Sequence, residues 1–192
     1  MLIMEKEEVK KQLEHNFNTA LECLGIQSSS IGIVYEYNPK RFNSCINAAE
    51  CDSVNLYINE AWIDRLIELN DFYDLKYLMY HEARHIYQDC VIKDFKNRGK
   101  SSELPATIKA WEENFNNYKR NTGEDSLDVN ANQIIEIDAN AFAIVLLQLQ
   151  GIKSVRLNEK TEKETEVLAQ KLAFKYSSRI NDWKNKLGVT SK

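Results

Sequence analysis

The sequence predicts an α+β fold, with a small N-terminal sheet, one helix that carries the chemistry and a mostly helical C-terminal part. Three observations predict it. Runs rich in β-branched and aromatic residues are confined to the part of the chain before residue 59. Beyond it, apolar residues recur every three or four positions, the helical period. Six glycines and two prolines in 192 residues leave little chain for linkers, so all of 1–192 is expected to pack as one domain.

The elements follow in order. Glu5 to Leu24 reads as a helix, because Val9, Leu13, Phe17, Leu21 and Leu24 line one face and charges fill the other. Ile31 to Tyr37 reads as a strand. The stretch from Phe42 to Ile58 holds two more; the clearest, Val54 to Ile58, alternates apolar and polar and is expected to be an edge strand beside the active helix. A short helix with Trp62, Leu66 and Leu69 follows Asn59. The next is expected to be capped by Asn70 or Asp71 and to run to about Phe95, since Asp71 to Phe95 contains no Gly or Pro. Ser101 or Ser102 is expected to cap another, striped by Leu104, Ile108, Trp111, Phe115 and Tyr118. Asn121 to Ser126 is polar, contains Gly123 and reads as a loop. A helix from about Val129 to Gln150 stops at Gly151. The last starts at the capping box Thr161-x-x-Glu164 and carries Leu168, Leu172, Tyr176, Ile180 and Trp183.

Composition narrows the function. With 25 basic against 29 acidic residues and no basic run, the chain has no general pull toward nucleic acid or anionic membranes. The N-terminal MLIMEKEEVKK reaches charge too soon for a signal peptide, and the most apolar stretch, Ala141 to Ile152, is too short to span a bilayer. A cytoplasmic protein is therefore expected. Cys23, Cys45, Cys51 and Cys90 form no CxxC pair and read as free thiols.

Residues 81–85 read His-Glu-Ala-Arg-His. On a helix, positions i and i+4 share a face one turn apart, so the imidazoles of His81 and His85 converge on one zinc ion. Glu82 between them reaches the water beside the metal as a general base. The chain has only three histidines, and two stand in this motif. His15 lies on the polar part of the first helix and reads as solvated. A catalytic zinc needs a third protein ligand. The class with a third histidine six residues further on is excluded, because Gln88 and Val91 stand where its glycine and histidine belong. A carboxylate must serve. Asp89 is one turn too far along the helix and reads as a surface or supporting residue. Glu136 and Asp138 open a stretch that turns almost wholly apolar, where a buried carboxylate must be paired, protonated or bound to metal. Glu136 is the expected ligand and Asp138 the fallback. Asn140, four residues after Glu136, is placed to hydrogen-bond a ligand imidazole.

HEARH followed by EIDANAFA resembles the gluzincin peptidases, and more closely the ImmA/IrrE family of bacterial and phage-associated zinc peptidases. The matching residues are His81, Glu82, His85, Glu136, Ala139, Asn140, Phe142 and Ala143. The family commonly has Gly where this chain has Arg84. The resemblance implies a zincin-like domain, one zinc on His81, His85 and Glu136, Glu82 as base, Asn140 in support, and endopeptidase activity on another cytoplasmic protein, often a transcriptional regulator. The carbonyl-polarising residue stays open among Arg84, Tyr87, Tyr118 and Tyr176, and the oligomeric state is open too. The rival readings are a zinc-binding regulatory module without turnover and a metal-free structural domain.

Overall fold

A computed structural model describes residues 4–119, 130–152 and 159–189. Helix α1 spans Lys6–Leu24, and the five predicted apolar positions are buried. Gly25, at φ +80°, ends it in a left-handed conformation that favours glycine. Three strands follow: β1 (Gly32–Glu36), β2 (Ala49–Cys51) and β3 (Asn55–Asn59). They form one sheet in the order β1-β3-β2, with β1 parallel and β2 antiparallel to β3.

The Val54–Ile58 stretch is therefore central, not an edge. Its alternation has a physical reason: Leu56 and Ile58 are both fully buried in the core, while β1 and β2 flank it. The edge that borders the cleft described below is the three-residue β2.

Helix α2 (Glu60–Leu69) grows directly from β3. Asn59 accepts a hydrogen bond from the Ala61 amide as its cap and donates to the Ser44 and Asn47 carbonyls. Asn70 does not cap the next helix. It closes α2 at φ 50°, a left-handed position that Asn tolerates. Helix α3 begins later, at Leu75, and continues to Arg98. Helix α4 (Pro105–Asn116) is not capped by Ser101 or Ser102 either: Leu104 holds the cap position before Pro105, and Ser101 Oγ accepts from the Glu103 amide in the preceding turn. Tyr118 lies beyond the end of α4.

The predicted loop 121–126 and the expected helix start at Val129 lie outside the described residues. Asn130 and Ala131 are helical, but the path breaks at 132–133 and α5 runs Ile134–Leu149. Gln133 fills that break, accepting from the Lys119 amide and donating to the Lys119 and Asn130 carbonyls. Helix α6 (Glu159–Lys175) is already helical before Thr161, so Thr161 is a buried interior residue rather than a cap. The final helix is also two: a 3-10 turn at Ser177–Arg179 separates α6 from α7 (Ile180–Lys186).

Helix α3 is the middle layer. It packs on α1 along one side and α5 along the other, and α5 packs on α6. Phe17, Leu13, Met79, Ile86, Phe142 and Trp183 share the resulting core. Among the described residues, no helix is long and apolar enough to cross a membrane.

Because Asn59 joins the end of β3, the start of α2 and the loop at 44–47, Asn59→Ala is expected to lower unfolding stability by about 2 kcal/mol in urea titration: about 1 for the cap and the rest for two carbonyls left short of a donor. A loss below about 0.5 kcal/mol rejects this role.

Candidate metal centre

His81 and His85 project from one face of α3, their rings edge to face with centroids 4.6 Å apart. Glu136, in the first turn of α5, meets them from the neighbouring layer. His81 Nε2 stands 3.2 Å from Glu136 Oε2, His85 Nε2 stands 3.6 Å from Oε1, and the two Nε2 atoms are 2.9 Å apart. Ligand atoms about 2.0–2.1 Å from a tetrahedral ion are separated by about 3.3 Å, which these spacings bracket. Among the described residues these three form the group of His, Cys, Asp and Glu side chains that can hold a metal ion.

The hydrogen bonds behind the rings suit that role. His81 Nδ1 lies 2.7 Å from Asn140 Oδ1, which also accepts from the Tyr77 hydroxyl. His85 Nδ1 lies 2.9 Å from Gln88 Oε1. Each Nδ1 therefore carries the proton and donates, which leaves each Nε2 lone pair for a metal. Burial pulls the His85 pKa down, but the Glu136 carboxylate, with smaller help from Glu82 and Gln88, lifts it to about 9. Burial likewise pushes Glu136 up, and the His85 and His81 rings outweigh it and hold the carboxyl well below its ordinary range. A buried carboxylate and two imidazoles this close need a positive charge among them, a proton or a cation.

The other expected residues separate cleanly. Asn140 supports His81, as its spacing predicts. Asp89 pairs with Lys93 at the surface. Asp138 is not an alternative ligand, because both its oxygens are engaged by Arg84 at 2.8 and 3.2 Å and one also accepts from Gln88 Nε2 at 2.7 Å. Glu82 lines the same cleft as His81, His85 and Glu136. In the sequence, Gln88 serves only to exclude the third-histidine class and Tyr77 has no role; position 88 shares the helical face of 81 and 85, and that spacing is the signal of its support for His85.

The cleft holds about 710 Å³ and runs between β2 and the His81, His85 and Glu136 cluster, with Phe42, Ile46, Leu78 and Phe115 as apolar lining. Of the four candidate polarising groups, only Tyr118 opens into it. Its hydroxyl donates to Glu136 Oε1 at 2.8 Å and accepts from Asn130. Burial, reinforced by Glu136, pushes its pKa up, so it remains a protonated donor. Arg84, Tyr87 and Tyr176 are instead drawn together around Glu103, whose carboxylate accepts from both tyrosines at 2.9 Å and pairs with Lys175.

Comparison with protein-family models, with curated proteins and with solved structures finds no match, so function rests on the chemistry of this site.

Burial pushes the Glu103 carboxyl up, but Lys175, Arg84 and Tyr176 outweigh it and leave the pKa lowered. A carboxyl lowered by folding stabilises fully above its unfolded value of about 4.3 and loses that contribution as pH falls through the folded value. Glu103→Gln is therefore expected to cost about 2 kcal/mol at pH 7, and the gap to the native chain should narrow in urea titrations carried below pH 4. A gap independent of pH contradicts the assignment.

Proposed function

We propose that the protein is a zinc-dependent endopeptidase with a zincin-like domain of the ImmA/IrrE kind, acting on a cytoplasmic protein. The observation that carries the reading is the convergence of His81 Nε2, His85 Nε2 and the Glu136 carboxylate at the floor of an open cleft, with Glu82 on its wall. The donor set fits zinc: two neutral imidazoles and one carboxylate, which leaves a coordination position open to the cleft.

A zinc ion held by His81, His85 and Glu136 supplies Lewis acidity and lowers the pKa of water to about 7. Glu82 takes the proton from the attacking water and passes it to the leaving amine. Tyr118, turning from Glu136, donates a hydrogen bond from its hydroxyl to the carbonyl oxygen as charge develops there and keeps its proton. Asn140 and Gln88 hold the two rings in the tautomer the metal requires. The β2 edge gives an extended peptide a backbone to pair with along the cleft.

A second reading has one observation in its favour. The Tyr118 hydroxyl already rests on Glu136, and a tyrosine that stays there makes a zinc-holding regulatory module without turnover.

Purified protein is expected to contain about one zinc, and His81→Ala and Glu136→Ala to lose it. Glu82→Gln is expected to keep zinc and abolish cleavage of an unfolded protein such as casein; retained cleavage removes Glu82 from its role. Tyr118→Phe is expected to keep zinc and lower the rate of cleavage by about 10²-fold. Full zinc with no cleavage by the native chain, on casein or on other unfolded proteins, supports the second reading instead.

A further inference from the structure

Arg84 stands inside the histidine motif, next to His85, and has no exposed surface. Its guanidinium lies over the rings of Tyr87, Trp111 and Phe142, at 4.6, 5.3 and 5.4 Å from their centroids. Its Nε and Nη2 take the two oxygens of Asp138 from across the α3–α5 contact, and Nη1 reaches the Tyr176 hydroxyl at 3.3 Å. Burying such a pair is a poor route to stability, since desolvation offsets most of the Coulomb gain and apolar residues of similar size pack there as well. Its presence beside a metal ligand calls for another explanation.

Asp138 provides it. The Oδ2 atom that Arg84 holds also accepts from Gln88 Nε2 at 2.7 Å, and the same nitrogen donates to the Ile135 carbonyl at 3.1 Å. Both N–H bonds of the Gln88 amide are thereby committed, so its oxygen faces His85 Nδ1. A flipped amide would turn an N–H toward that ring. His85 would then carry its proton on Nε2, pointing at His81 and Glu136, where a metal needs the lone pair. His81 has a separate device in Asn140 and Tyr77, so the two rings are set independently.

We propose that Arg84, Asp138 and Gln88 form one positioning unit that fixes the amide of Gln88 and, through it, the tautomer and orientation of His85. Arg84 is the anchor: it pins Asp138, Asp138 pins Gln88, and Gln88 sets the ring. None of the three touches substrate. The proposal rests on the metal-centre reading for its purpose, but its geometry is visible without a metal.

The test uses the full chain labelled with ¹⁵N-histidine and two variants. Gln88→Met keeps the side-chain length and removes the acceptor. The double variant Arg84→Met with Asp138→Leu replaces the buried pair by apolar residues, a change commonly tolerated by the fold, and frees the Gln88 amide. The native chain is expected to show a ring N–H resonance of His85 on Nδ1, protected from exchange. Both variants are expected to lose that resonance, keep the corresponding one of His81 as an internal control, and bind zinc roughly 10- to 100-fold more weakly in chelator competition. A merely structural role for the pair moves neither the His85 resonance nor the affinity in the folded double variant, and that outcome overturns the proposal. So does an unprotected His85 N–H in the native chain, which requires no variant to fold. If the native chain binds no zinc, the metal-centre reading fails by itself, and the exchange protection of the His85 Nδ1–H, which the Gln88 acceptor gives whether or not Nε2 also carries a proton, still decides whether the positioning unit exists.

Discussion

The contact between α3 and α5 has to satisfy two demands at once. It lies in the middle of the molecule, where Ala83, Ile86, Ala139, Phe142 and Ala143 are buried, and it also carries polar side chains that are largely or wholly removed from solvent. The solution is pairing across the contact, residue by residue: His81 with Asn140, the imidazoles with Glu136, Arg84 and Gln88 with Asp138. Most of these buried donors find their acceptors on the facing helix, while His85 Nδ1 donates to Gln88 on α3 itself and Arg84 Nη1 to Tyr176, and this is what makes burial tolerable. Pairing also fixes how α3 and α5 lie against each other, because a shift along either axis breaks several bonds together. His81, His85 and Glu136 inherit their spacing from that registration.

Much of this site was legible in the sequence because its signals are local. Two histidines one helical turn apart declare a shared face. A glutamate just before an apolar run declares a carboxylate carried into the interior, and Asn140 follows at the same spacing. The structure brings His81, His85, Glu136 and Asn140 together as that spacing predicts. The choice between Glu136 and Asp138 was harder, since both are acids at the start of one helix. What separates them is Arg84, which is 54 residues from Asp138 along the chain, and no local pattern announces such a partner.

The misread boundaries have a common cause: one residue type serves several local geometries. Asn70 suits a helix start and a left-handed helix end equally well, and the turn into α3 selected the second. Ser101 and Thr161 have hydroxyls that cap helices, yet one organises a turn and the other is buried inside α6. The sheet failed for a different reason. Strand order is set by pairing between distant segments, and the alternation of Val54–Ile58 is equally compatible with an edge and a centre until β1 and β2 are placed.

The path of the chain through the site also bears on when it can come into being. Helix α3 folds from local contacts and brings its two histidines together early, but Glu136 arrives only with α5, and the Arg84 network closes only when Tyr176, 92 residues downstream of Arg84, docks from beyond the end of α6. Contacts so far apart form late, since the entropy of closing long loops must first be overcome. A chain still emerging from the ribosome thus carries two of the three candidate ligands with no finished cleft. The cluster and the network behind it are complete only after α5 and the C-terminal helices have docked.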